Sequence, residues 1–390
     1  MKIATRHSDK SAYAAMGAVS LLVMCGISPA IGQQGFQFLP SVSISEIYDD
    51  NIFLTPDTEE KDMITRLTPT LEWVFDSVPV SWNIDYSIDA ETYRDNSQLD
   101  DEVIRQNGTA GLEFDVDPKT VFSLEAGYLE TQTPGELNLS TGLEKGRLNA
   151  RRTFVSPALS YELSPSMSAL LEYTSTKDHL SGGVETERQQ SDVSVERQLG
   201  KPTVLSAGFS HRKYSFMEKS GQENTIPDTE LLWLGVEHDF SPAVNILLKA
   251  GSRKISSSTK PYLSFSLTRD YADGAFGFDY LKDETTLIGE QGRREIETAG
   301  IRFEHRIGNN FQLDLSPSYG TVSRSLGDSE VYRFAFNTRY RISNRFYFTT
   351  SWRYSSQDEV FSDSFERNVS RNVVMLGITF TQSVAPRNNN

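Results

Sequence analysis

The chain carries its chemistry in charged side chains rather than in nucleophiles or metal ligands. Past the first thirty residues its histidines are His179, His211, His238 and His305, and no two stand at the spacing of a zinc pair. His238-Asp239 or His305 would need a serine delivered from another strand to make an acyl-transfer triad. No Gly-x-Ser-x-Gly elbow and no phosphate-binding glycine loop occurs. An enzyme is therefore not expected, and no catalytic residue, metal site or cofactor is assigned. The oxygen-rich run Asp49, Asp50, Asn51, Asp57, Glu59, Glu60 and Asp62 lacks the spacing of an EF-hand loop. It reads as a solvated loop with loosely held divalent ions at most.

Two sets of charges remain. Glu72, Asp85, Asp89, Glu91, Glu113 and Asp115, followed by Glu125, Glu162 and Glu172, lie in the first half of the chain. Arg302, Arg306, Arg333, Arg339, Arg341, Arg353 and Arg371, with Arg345 beside them, lie near its end. Each falls on the polar parity of a segment whose other parity is apolar. Such residues would line a watery interior, and arcs of charge there set which ions and solutes pass. The expectation is a basic arc and an acidic arc on opposite walls, with a field between them. The plainer reading is cross-strand pairing that keeps the wall wet, for example Arg302 with Glu304.

These placements require strands. From Val80 to Ala90, Val80, Trp82, Ile84, Tyr86, Ile88 and Ala90 share one face, while Ser81, Asn83, Asp85, Ser87 and Asp89 share the other. Turn chemistry punctuates the chain at Asp76-Ser77-Val78-Pro79, Asp117-Pro118-Lys119, Ser164-Pro165-Ser166, Gly200-Lys201-Pro202, Ser241-Pro242, Ala272-Asp273-Gly274, Gly308-Asn309-Asn310 and Ser343-Asn344-Arg345. Each interval has room for two strands and one longer polar connection. Eight turns and two ends give nine hairpins. The fold class read from this is all-β: a transmembrane antiparallel outer-membrane β-barrel of about 18 strands, with short periplasmic turns and longer external loops. The longer loops are Thr55–Asp62, Asp95–Glu102, Thr131–Gly146, Leu180–Glu187 and Phe216–Asp228. Phe75, Trp82, Phe114, Phe122, Phe240, Phe311 and Phe346 flank the tight turns, as an interfacial girdle would.

The N-terminus fits this destination. Lys2, Arg6 and Lys10 precede an apolar run from Ala12 to Gly26, and Ser28-Pro29-Ala30 offers a cleavage site, so residues 1–30 read as a signal peptide. Met24 before Cys25 is too bulky for a lipidation site. Residues 31–38 read as a lead-in, 39–382 as one barrel domain and 383–390 as a polar tail. No later segment approaches the length of an apolar membrane helix. The charge, −15 overall, argues against nucleic acid as a partner. Soluble all-β folds such as sandwiches, propellers or solenoids also alternate, but no blade-like or solenoid repeat is present.

Tyr48-Asp49-Asp50-Asn51-Ile52-Phe53, followed by Leu67-Thr68-Pro69-Thr70-Leu71, resembles the signature of the β-barrel porin 2 family of outer-membrane proteins. The resemblance implies a porin-sized barrel, in some members tied to exopolysaccharide export. The chain departs from the usual barrel ending, because ten residues follow Phe380. Export of an exopolysaccharide is the first functional expectation. A general or substrate-selective porin for small solutes is the second, and a structural or adhesive barrel the third. The expected surroundings are outer-membrane lipid and lipopolysaccharide in a Gram-negative cell. The resemblance adds a polysaccharide and periplasmic export components as partners, and leaves the oligomeric state open.

Overall fold

The computed structural model describes residues 35–100, 105–138, 140–143, 146–218, 220–324, 327–361 and 366–382. The leader read over 1–30 and the tail read over 383–390 lie outside these residues. The wall begins with β1 (Phe36–Asp49), β2 (Asp62–Ser77), β3 (Val80–Tyr93), β4 (Arg105–Asp117), β5 (Thr120–Thr131) and β6 (Ala150–Ser164). It continues through β7 (Met167–Leu180), β8 (Glu185–Gly200), β9 (Thr203–Met217), β11 (Thr229–Ser241), β12 (Val244–Ile255) and β13 (Ser258–Tyr271). It ends with β14 (Gly274–Thr286), β15 (Arg293–Ile307), β16 (Phe311–Arg324), β17 (Gly327–Arg341), β18 (Phe346–Phe361) and β19 (Glu366–Thr381). The short β10 (Glu223–Thr225) is a flap on β9.

Every wall strand pairs antiparallel with its neighbours, and β1 pairs with both β2 and β19, which closes the ring at eighteen strands. Closure satisfies the backbone groups that lipid cannot. β1 starts inside the stretch read as a lead-in, because Phe36 and Phe38 find partners in Phe75 and Trp73. All eight expected turns join consecutive wall strands at one end of the barrel.

Parity holds around the ring. Leu171, Leu232, Leu234 and Ile44 stand on the outer face more than half exposed, as side chains meant for lipid must. At the turn end Phe75 and Trp82 stack at 5.9 Å, Phe38 and Trp73 at 5.5 Å, and Phe346 meets Phe380 of the last strand at 5.2 Å.

The loop end is less regular than the sequence suggests. β12 and β13 are joined by Ser256 and Ser257 alone, with Ser256 at φ 52°. Several of the longer connections do not stand in solvent. They fold inward and make the only apolar clusters among the described residues.

Candidate functional site: a constricted lumen

The described residues between β5 and β6, 132–138, 140–143 and 146–149, include a 3-10 turn at Pro134–Leu137 and reach across the lumen. Leu143 on the far side is 1% exposed and packs on Leu287, Ile296, Val322 and Val331. In the ring, β16 and β17 stand nearly diametrically across from β5 and β6, so the segment spans the bore. The burial of such aliphatic side chains, worth about 1.5–3 kcal/mol each, draws a polar-looking loop indoors. Gly142, at φ +68°, lets the backbone graze the far wall: a Cβ there would lie 2.6 Å from Arg333 Cδ.

The β14–β15 tip meets this segment from the other side. Ile288 N–H donates to Asn138 Oδ1 at 3.2 Å, and Val184 N–H, from the β7–β8 turn, donates to the Gly289 carbonyl at 3.2 Å. Charge fastens the tip to the wall. Arg212 donates twice to Asp283, at 2.9 and 3.1 Å. Arg253, fully buried, lies 2.6 Å from Glu295 and 3.4 Å from Glu284, and Tyr214 donates to Glu284 at 3.1 Å. Arg293 donates to Thr229 Oγ1 at 2.6 Å. Turning inward takes β14 off the wall: its ladder with β13 stops at Leu263 and Lys282.

A charged ring lies around the crossing segment. Arg105 donates to Glu136 at 2.9 Å and to Asp89 at 3.1 Å, and Arg66 lies 2.6 Å from Glu91. Arg147 packs over the Tyr93 ring at 4.8 Å. Arg333 and Arg353 sit diagonally on β17 and β18, where Arg353 faces Ala335 and Arg333 faces Ser355. Neither has a carboxylate within 4.0 Å among the described residues.

The remaining residues picked from the sequence are dispersed. Glu72 and Asp85 face each other in register on the inner wall. Glu113 and Asp115 are exposed toward the turn end. Glu125, Glu162 and Glu172 share inward parity on β5, β6 and β7, and Ser156 donates to Glu172 at 2.9 Å. Arg302 lies 3.9 Å from Asp279 on β14, not beside Glu304; its neighbour across the ladder is nearer than its neighbour along the strand. Arg306, Arg339 and Arg341 gather at the turn end, where Arg339 covers Tyr347 at 4.0 Å. Arg345 belongs to the turn itself. The arcs face one another only in part. β2–β4, with Glu72, Asp85, Asp89, Glu91, Glu113 and Asp115, and β15–β19 flank β1 on the closed ring and are neighbours, whereas Glu125, Glu162 and Glu172 on β5–β7 stand across the bore from β15–β17.

Arg371 does not line the bore. It is buried against Asp49, with Nε 3.0 Å from Oδ1. The run Tyr48–Phe53 is thus a clasp between the first and last strands. Asp50 accepts from the Asn372 N–H at 2.6 Å and Nδ2 at 2.8 Å. Asn51, fully buried, donates to the carbonyls of Thr55 and Ser370 at 3.0 Å. Ile52 packs with Ile47, Ile64, Tyr93 and Leu99, and Tyr48 faces outward. The acidic run is therefore not one solvated loop. Asp62, 1% exposed, accepts from the N–H groups of Arg94, Asp95 and Asn96, whereas Asp57, Glu59 and Glu60 are exposed.

Arg66, Arg105 and the inner wall around Phe154 escaped the sequence reading. Their signal was parity, since each stands on the polar side of an alternating strand.

A closed ring of eighteen antiparallel strands, oily outside and polar within, is a transmembrane β-barrel of the Gram-negative outer-membrane type. Solved structures share this fold. OccK2 (OpdF) from Pseudomonas aeruginosa matches with a TM-score of 0.50 at 12% identity, covering 90% of this chain and 100% of that one. OccK11 (OpdR) from the same organism matches with a TM-score of 0.47 at 13% identity, over 89% of this chain and 98% of that one. OccAB3 from Acinetobacter baumannii gives 0.45 at 12%, over 89% and 100%. No protein-family model matches the chain, and no curated protein matches it.

Proposed function

We propose that the protein is a substrate-selective porin for small hydrophilic solutes. The observation that carries this reading is the constriction. The described residues 132–138, 140–143 and 146–149 cross the bore, the β14–β15 tip roofs it, and Arg333 and Arg353 stand beside the gap with no carboxylate within 4.0 Å among the described residues. A barrel of this strand number encloses an aqueous channel. Segments folded into it narrow that channel, and a narrowed channel suits single small molecules better than a hydrated polymer. With no carboxylate among the described residues to neutralise them, Arg333 and Arg353 give the crossing zone a positive field that favours anions. Polysaccharide export, implied by the family resemblance, draws no support from this geometry. The residues behind that resemblance, Tyr48–Phe53, serve to hold β1 to β19.

Planar-bilayer recording of the purified protein tests the reading. The wild type should conduct steadily with anions favoured. Arg333→Glu combined with Arg353→Glu should move the reversal potential in a salt gradient toward cation preference. A silent protein, or a reversal potential untouched by both substitutions, would refute it.

A further inference from the structure

We infer that the lumen beside β4–β8 contains a binding site for a pyranose-sized cyclic polyol, stacked on Phe154. The inference names a solute class for the pore proposed above and rests on that reading for its role in transport. A cavity of about 430 Å³ lies there, roofed by Glu136, Ser140 and Thr285 from the inward-folded segments. Its size falls within the roughly 300–1,000 Å³ of small-molecule sites.

Phe154 is the one aromatic among the inward residues of β6, whose lumen row is otherwise Ala150, Arg152, Ser156, Ala158, Ser160, Glu162 and Ser164. It faces Gly127 across the ladder, and a Cβ on that glycine would lie 2.2 Å from the ring. The ring therefore lies against bare β5 backbone. Two other inward rings are covered: Trp233 rests on Gly208 with Lys249 at 4.7 Å over it, and Tyr347 lies under Arg339. Among the described residues no ring or cation lies over Phe154, which is half-buried and lines the cavity. The electron-rich face of an aromatic ring suits the polarised C–H bonds on one face of a pyranose.

The polar fittings match hydroxyl groups. Thr186, 2% exposed, lines the cavity with its Oγ1 hydrogen-bonded to nothing. Arg188 lines it with no carboxylate within 4.0 Å among the described residues. Arg152 and Asp178, locked to each other at 2.6 and 2.7 Å, present fixed donors and acceptors. A buried hydroxyl without a partner is costly and is satisfied by a bound polar group. A flat apolar platform edged by a fixed guanidinium–carboxylate pair fits a ring with equatorial hydroxyls better than an open-chain polyol.

Equilibrium dialysis of the full chain in detergent, with radiolabelled D-glucose and D-sorbitol as probes, separates ring stacking from general hydroxyl binding. Glucose should bind roughly tenfold tighter than sorbitol, the scale of one aromatic stack. Phe154→Ala should abolish that preference while Phe154→Tyr keeps it, each variant first shown folded by heat-modifiable gel mobility. Equal binding of the two probes, or an unchanged preference in Phe154→Ala, overturns the inference. Bilayer conductance is recorded on the same samples. Conductance without ring preference removes the site and leaves the pore reading intact. Ring preference without conductance supports the site and removes the pore.

Discussion

Asp49 and Arg371 are 322 positions apart in the chain, yet the Arg371 Nε lies 3.0 Å from the Asp49 carboxylate. Both are buried, at 1% and 8% exposure. The pair sits on the seam where the last strand meets the first, so the two ends of the wall are joined by charge as well as by the backbone ladder.

Removing one half of that pair should weaken the whole ring. Asp49→Ala leaves the buried guanidinium without this carboxylate, a loss of about 3–5 kcal/mol. In urea titrations read by heat-modifiable gel mobility, its unfolding midpoint should fall well below wild type. Adding Arg371→Met should recover a good part of the loss. A double variant no better than the single one would show that the seam does not depend on the pairing.

The β14–β15 tip offers a second test. Arg253 is wholly buried and touches Glu284 and Glu295. Arg253→Ala leaves Glu284 to Tyr214 and Arg293 and Glu295 to Lys260 alone, and should loosen the tip from the wall. Single-channel conductance should rise at least about twofold if the tip narrows the path. Unchanged conductance would mean that current flows elsewhere.

On the outside, Leu234 projects from β11 with 67% of its surface exposed. Leu234→Arg should destabilise the barrel in lipid vesicles by about 2–4 kcal/mol if it sits near mid-bilayer, while Leu234→Met should be close to neutral. Equal stability of the two variants would place that ring of residues outside the hydrocarbon.

Much of the wall was legible in the sequence. Asp-Pro, Ser-Pro, Gly-Asn and Asp-Gly pairs marked the turns because proline, glycine and Asx residues fit few other backbone shapes. Alternation gave an apolar face and a polar face to the strands it was read on, Val80–Ala90 most plainly, and put Arg333 and Arg353 on the polar parity they hold in the ladder. The constriction was not legible. Leu137, Leu143, Leu287 and Ile288 are scattered through polar connections, and what buries them is contact with walls far off in sequence. For the same reason Asp49 and Arg371 looked like members of two unrelated sets. Local pattern fixes the direction in which a side chain points, whereas its partner follows from how the ring closes.

The inward turn of β14 also leaves Ser258–Tyr262 of β13 with a ladder on one side only. An uncovered strand edge is a template on which a second chain can build. This one is blunted twice over: Pro261 has no N–H to offer, and its carbonyl accepts from Arg253 at 3.0 Å. The guanidinium that fastens the tip therefore also guards the edge that the tip deserted. In a crowded membrane the gap in the wall stays a private feature of one molecule instead of a place where two barrels zip together.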